Sequence, residues 1–303
     1  MPGTERIELG ALQRDDLNAA RDLVREAFAE VLGEAEPDEF WNDRDYVTCR
    51  WHAPHTQWFK AFSGSRLLGV ACVARWGSQA IVGPLAVVPD HWENDIAQRL
   101  MAEVCAQIEA WGCAHSGLFT FPDSPRHLAL YQKFGFWPGH LAAVMSRGVN
   151  RPAQPYHPAA LAPARVKAHC REILETLVPG MDVDGEVEAV QRQQLGSMVL
   201  TADGFAICHH GEYCEAGSQA FYIRLAAIRP GGGAAQMAEL LGRCEAMAWQ
   251  QGAGHLLLGV NTARLQAYRW LLDSGFRTRI LGVTLHNGPG YDRQDVWLLD
   301  DWR

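Results

Sequence analysis

Three groups of residues in this 303-residue chain have types and spacing that could do chemistry. The first is a polar loop, Pro89-Asp-His-Trp92-Glu93-Asn94-Asp95, lying between an apolar run and an apolar stripe. The run is Leu85-Ala86-Val87-Val88; the stripe, at helical spacing, is Ile96, Leu100, Met101, Val104, Cys105, Ile108 and Trp111. Strand, loop and helix in that order leave unpaired backbone N–H groups and the positive end of a helix dipole facing the loop, a natural place for an anion. The second group centres on Tyr131, in a helical segment at 124–134 stopped by Gly135-Phe136. A phenol with a pKa of about 10 is protonated at neutral pH and can serve as a general acid. The third is Cys208-His209-His210-Gly-Glu212-Tyr-Cys214-Glu215, which has metal-ligating residue types. Its spacing matches no familiar zinc pattern and it falls where a strand should end, so a turn with a buried cysteine is the favoured reading and no metal is expected. His52-Ala-Pro-His55 offers only two ligands and fares no better.

The elements that must position these groups follow from periodicity. Residues 6–9 read as an edge strand, and Asp15 or Asp16 opens a helix with its stripe at Leu17, Ala20, Leu23, Val24, Ala27, Phe28 and Val31, stopped by Gly33. An acidic, aromatic segment at 37–51 reads as helix plus loop. Residues 56–62 and 67–75 form a hairpin around Ser-Gly-Ser. Strands follow at 79–88, 117–121 and 141–149. Residues 150–164 hold four prolines and little periodicity, which marks a linker.

Past the linker the plan repeats. Helices read at 168–177 and 186–193, strands at 197–201, 205–208 and 220–228, and a glycine loop at Gly231-Gly-Gly233. A helix striped by Met237, Leu240, Leu241, Cys244 and Met247 leads to a strand at 255–260 and a helix at 264–274, stopped by Gly275-Phe276. Val296 to Leu299 reads as a last strand. Leu100, Gly112, Gly135 and Phe136 find Leu240, Gly252, Gly275 and Phe276 at an offset of 140, and Pro89 finds Pro230 at 141. A fixed offset over this length is a duplication.

The blocks LAVVP, Ile96-Ala97 with Leu100, and Leu130-Tyr131-Gln-Lys133-Phe-Gly135-Phe136 together resemble the GNAT N-acetyltransferase superfamily. The resemblance covers nearly the whole chain, most firmly 66–149 and 204–303, and what it implies is specific. The fold would be α/β with a mixed sheet: two GNAT-like acyltransferase domains in tandem, each a mixed β-sheet flanked by helices. Residues 1–149 would be the catalytic domain, 150–164 the linker and 165–303 a degenerate second domain. The reaction would move an acyl group, most simply acetyl, from acetyl-CoA to an amine of a small molecule or peptide. Leu85, Ala86 and Val87 would hold the pantetheine and polarise the thioester carbonyl. Trp92, Glu93, Asn94, Asp95, Ile96, Ala97, Ser124 and Lys133 would surround the cofactor, and Tyr131 would protonate the departing thiolate. The 37–51 segment would line the acceptor site.

Two features depart from the family pattern. The loop pattern is Arg or Gln, two spacers, Gly, one spacer, then Gly or Ala; those slots hold Trp92, Asp95 and Ala97. Asp95 thus puts a carboxylate where a glycine is called for, beside the phosphates. In the second half Leu271 stands opposite Tyr131, with Tyr268 one turn earlier, while the Gly231–Gly233 loop is uncharged and open to an anion. The halves have divided the features, and a non-catalytic acyl-CoA-binding or scaffold protein is the alternative. The general base stays open among Glu39, His52, His55 and a water chain.

Composition narrows the class. The chain is 48% hydrophobic and 20% charged, with net charge −8 and no Lys/Arg block, so nucleic acid is a poor partner. No apolar run approaches about 18 residues, and no membrane is expected as a partner. The eight cysteines show no CxxC pair or framework spacing, which suits free thiols in a cytoplasmic enzyme. A monomer with pseudo-twofold domains, or a weak homodimer, is the expected assembly.

Overall fold

The apolar stripes become helices laid on a sheet. The computed structural model describes residues 6–36, 41–92, 94–152, 155–158, 161–288 and 293–303. In the first half the strands are β1 (Glu8–Ala11), β2 (Thr56–Ser63), β3 (Arg66–Trp76), β4 (Gln79–Val87), β5 (His115–Thr120) and β6 (Trp137–Gly148). The helices are α1 (Leu17–Leu32), α2 (Thr48–Trp51), α3 (Ile96–Ala110) and α4 (Pro125–Gln132). Among the described residues the second half repeats all of these but β1: α5 (Pro163–Leu177), α6 (Asp184–Gln193), β7 (Gly196–Leu200), β8 (Gly204–Gly211), β9 (Gly217–Ile228), α7 (Ala234–Gln250), β10 (His255–Asn261), α8 (Leu265–Asp273) and β11 (Arg277–Asn287). A two-residue strand, β12 (Leu298–Leu299), has no counterpart among the described residues of the first half.

All strands join one mixed sheet in the order β1-β2-β3-β4-β5-β11-β6-β10-β9-β8-β7, with β12 paired to β9. Its centre is an exchange. β11 of the second half pairs antiparallel with β5 of the first, Val283 opposite Thr120. β6 of the first half pairs with β10 of the second, Gly148 opposite His255. The two exchanged strands also pair with each other.

Helices cover both faces. α3 and α4 bury Ile96, Leu100, Met101, Val104 and Tyr131 against Val82, Val87 and Leu118. α1 lies on the other face over Trp58, Val70, Cys72 and Ala86. In the second half α7 and α8 pack on Phe221, Ile223 and Leu258. α5 and α6 pack on Phe205, Ile207 and Leu225 in a core that also takes Ala74, Trp76 and Ile81 from the first half. That shared core joins the halves.

Several elements differ from the sequence expectations. β11 was not anticipated as a strand, although it lies 140 residues beyond β6. Six of its residues are exposed, five of them in one run at its start, which blurs the alternation. β6 itself starts at Trp137 rather than 141, for the same reason. α5 begins at Pro163, inside the expected linker, because proline at the first helical position forfeits no hydrogen bond. The closing strand shortens to Leu298–Leu299.

Candidate active site

β4 and β5 run parallel only from Gln79 opposite His115 to Val82 opposite Leu118, and then part. Beyond Val82, β4 keeps β3 as its partner, with Leu85 opposite Ala71 and Val87 opposite Gly69. Val88 donates its N–H to the Leu68 carbonyl at 3.0 Å. Alternation along the strand then turns the Ala86 amide to β3 and the Leu85 and Val87 amides to the open edge. Of the three expected amides, Leu85 and Val87 therefore present donors to the gap; Ala86 is committed to the sheet.

The edge is not bare. The Trp92 indole donates to the Val87 carbonyl at 2.7 Å. The Arg126 guanidinium at the start of α4 lies 5.4 Å from the Trp92 ring centroid and also donates to the Trp92 carbonyl. At the other end of the edge, Arg50 Nη1 donates to the Gly83 carbonyl at 2.7 Å. Loop and helix α4 are thus tied together across the mouth of the gap.

The remaining expected residues fall around this mouth. Asn94 and Asp95 are exposed, while Ile96 is 1% exposed and Ala97 packs on the same core, so these two offer only their backbone. Asp95 stands at the start of α3 in a left-handed conformation, φ 55°, and makes no hydrogen bond to the helix amides. Its carboxylate accepts instead from the Gln98 side chain. Lys133 Nζ donates to Gln98 Oε1 at 3.0 Å, and Ser124 caps α4 through the His127 amide at 3.5 Å. Glu93 and Glu39 lie outside the described residues.

Tyr131 sits on α4, 8% exposed, in the cluster that holds Val82, Val87 and Leu118, where the two strands part. Burial alone pushes its phenol up to about 12, so it is an un-ionised donor at every ordinary pH. Leu271, at the matching place on α8, is fully buried and offers no proton.

The second half has the same parting, differently used. β9 and β10 pair in parallel from His255 opposite Ala220 to Leu258 opposite Ile223, and then separate. Here β12 takes the edge, with Leu299 opposite Ala226 and Leu298 opposite Ala227. The Ile228 amide, 141 positions beyond Val87, donates to the Trp297 carbonyl at 2.9 Å. The segment is held firmly. Arg264, 1% exposed, donates to the Leu298 carbonyl at 3.1 Å and to Asp300 Oδ1 at 3.0 Å. Tyr222 donates its hydroxyl to Asp301, and a Cβ on Gly259 would stand 2.1 Å from the Asp301 Cβ. Only glycine leaves room for the chain to pass.

Between the two partings lies a buried ionic cluster that the sequence did not signal. Glu215 accepts from Arg50 Nε at 2.7 Å and from Arg224 Nη1 at 3.0 Å. Arg224 Nε stands 2.8 Å from Glu186, which also meets His55 Nε2 at 2.8 Å. Burial would raise the Glu215 carboxyl, but Arg224 and Arg50 outweigh it and hold it down at about 2. His55 is thus bound to the second half rather than placed at the gap, and His52 rests edge-on against Trp51.

The segment expected to line the acceptor site is docked on the second half. Asp45 accepts from the Val47 and Thr48 amides at 2.8 Å each, which starts α2. Asp43 accepts from the Ser218 amide at 2.8 Å, and the Asp45 amide donates to the Cys214 carbonyl at 3.0 Å. The Cys208–Glu215 run disperses. Cys208 turns to Cys244 with 4.0 Å between sulfurs, His210 meets Ser197 at 2.9 Å, and Cys214 donates to the Gly211 carbonyl. Among the described residues no group of three or more His, Cys, Asp or Glu is arranged to hold a metal ion. None of their helices is long and apolar enough to cross a membrane.

Residues 17–136 match the model of the acetyltransferase (GNAT) family. Among solved structures the chain is similar to a candidate acetyltransferase of Pyrococcus horikoshii, at 15% identity and a TM-score of 0.66, covering 98% of this chain and 95% of that one. It is also similar to a GCN5-related N-acetyltransferase of Sphaerobacter thermophilus, at 17% identity and a TM-score of 0.62, covering 96% and 98%. At these identities the likeness is one of fold, and it extends over nearly the full length. No curated protein matches the chain.

Proposed function

Because residues 17–136 match the model of the acetyltransferase (GNAT) family, we propose that the chain transfers acetyl from acetyl-CoA to an amine of a small molecule or peptide, at the parting of β4 and β5. One observation carries this reading. Among the described residues the β4 edge beyond Val82 has no strand partner on the β5 side, whereas the equivalent β9 edge is filled by β12. An extended pantetheine chain pairs with a strand edge as a strand would, so the open edge is the one free to take it. The Leu85 and Val87 amides would hold the donor and polarise its carbonyl. Trp92, Asn94, Asp95 and the start of α3 would meet the pyrophosphate, with Ser124 and Lys133 beside it.

In the reaction the amine nitrogen attacks the thioester carbon. The carbon–sulfur bond breaks, and the thiolate takes the phenolic proton of Tyr131. The proton released by the amine restores the phenol through solvent. Alignment and a ready proton are what the protein supplies.

The wider reading is of two GNAT-like domains, 1–149 and 165–303, joined by 150–164, with the second shaping the acceptor cleft through its hold on Asp43 and Asp45. A single chain with internal pseudo-twofold pairing is the assembly it favours. Eight free cysteines, six of them buried, fit a reducing cytoplasm. A structure determined with acetyl-CoA, together with acetyl-CoA consumption over a panel of amines, tests the proposal. Donor found on β9, or none on β4, overturns it.

A further inference from the structure

We infer that Arg50 is a positioning residue through which the second half of the chain fixes the acyl-donor edge of β4. This rests on the reading of β4 as the donor edge. All three guanidinium nitrogens of Arg50 are used, and the residue is 6% exposed. Nη1 donates to the Gly83 carbonyl at 2.7 Å, Nε to Glu215 at 2.7 Å and Nη2 to the Arg303 carbonyl at 3.0 Å. One bond is therefore to the first half and two are to the second.

The position of Gly83 gives the fork its meaning. Gly83 directly follows Val82, the last β4 residue paired with β5. Its carbonyl is the first carbonyl of β4 past the last residue paired with β5. A carbonyl at such a hinge, left to solvent, would let the strand swing with the motion of its neighbours. A planar guanidinium held at its other corners sets that carbonyl in one place.

The anchor itself is rigid. Glu215 Oε2 is bound to Arg224 Nη1 at 3.0 Å, and Arg224 also reaches the Arg303 carbonyl at 3.3 Å. On the near side, Asp45 caps the helix that carries Arg50, and the Arg50 guanidinium lies 5.7 Å from the Tyr46 ring centroid. The amides of Leu85 and Val87 lie two and four residues beyond Gly83, so an error at Gly83 is carried to both. The pyrophosphate loop lies at the far end of the edge and is held by Trp92 and Arg126. Loss of the Arg50 fork should therefore disturb the alignment of the thioester while leaving most of the cofactor's binding intact.

The test uses full-length Arg50→Lys, Glu215→Gln and the double variant, with kinetics normalised to folded protein. A displacement on the scale of an ångström at the reacting centre costs up to about 10²-fold. We expect kcat to fall by about 10-fold to 10²-fold in each single variant, with the KM for acetyl-CoA changed by less than about threefold. The double variant should be little worse than either single one, because both remove the same link. Hydrogen exchange of residues 83–88, measured without substrate, should quicken in Glu215→Gln although that residue lies in the other half. A lower melting temperature with kcat within twofold of wild type and unchanged exchange at 83–88 would mean that the bridge only stabilises, and would overturn the inference. If Arg50→Lys does not fold, Glu215→Gln, which keeps the shape of the side chain, decides by the same two readouts. Tyr131→Phe in the same assay separates the two proposals. Full activity in that variant defeats the assigned active site. Lost activity there, with Arg50 and Glu215 variants unaffected, defeats only the positioning role.

Discussion

Replacing Asp95 with glycine tests the donor site at its least typical residue. Asp95 is exposed at the start of α3, with φ 55° and no hydrogen bond to the helix amides. If phosphate oxygens come within about 4 Å of the carboxylate, repulsion in a water-like dielectric is about 1 kcal/mol, or about fivefold in affinity. Asp95→Gly should tighten acetyl-CoA binding by about that factor at low salt. Screening shortens from about 10 Å at 0.1 M to about 3 Å at 1 M, so the gain should shrink to less than about twofold in molar salt. Stability responds differently. Sequence alone suggests a slight loss, since a carboxylate near a helix N-terminus is worth about 0.3–1 kcal/mol. The backbone points the other way, because a left-handed residue with a Cβ costs about 1–2 kcal/mol, somewhat less for aspartate, and glycine removes most of that. The two effects nearly cancel, and the melting temperature should stay level or rise slightly. Calorimetric titration at two salt concentrations and a thermal melt provide the readouts. Unchanged or weaker binding at low salt, or a gain that salt does not touch, would show that the carboxylate faces away from the phosphates.

Tyr131→Phe keeps the ring in its core and removes the proton. Turnover should fall by about 10²-fold or less with cofactor affinity nearly unchanged, and unimpaired turnover would refute the role. Because burial holds this phenol at about 12, any alkaline limb below pH 10 in the wild-type rate profile belongs to another group and should persist in the variant. Titration calorimetry should find one acetyl-CoA site per chain, since β12 already fills the β9 edge; two equal sites would contradict that. Glu215 is depressed to about 2, below its ordinary range, so its contribution to stability is present above about pH 4 and lost as pH falls through about 2. The melting-temperature gap between wild type and Glu215→Gln should accordingly narrow from pH 4 to pH 2, and a constant gap would count against the ion pairs as its source.

What the sequence revealed was local. Helix stripes, glycine stops and the 140-residue offset rest on interactions between near neighbours, and α1, α3, α7 and the parallel strands fall where periodicity puts them. The helix that carries Tyr131 was legible because a Gly-Phe stop follows it within one turn. The filled β9 edge was not, because nothing in Val296-Trp-Leu-Leu299 names the strand it will join. Arg50 was equally silent: its partners Gly83, Glu215 and Arg303 are 33, 165 and 253 residues away. The offset did contain one unused signal. Carried through to 277–287 it would have found β11 from β6.

The exchange of β6 and β11 has a consequence for how the chain acquires its shape. β5 finishes at Thr120, yet its partner Val283 is over 160 residues later. Neither half can complete its sheet until the other is made, so the first half leaves a ribosome with an open strand edge on β5. Non-local pairing of this kind closes late and slowly, because the entropy of the large loop is lost before the pairing repays it. Unfolding should be a single cooperative event, and cutting the gene at the linker should yield two aggregation-prone fragments that recover activity only when mixed during refolding.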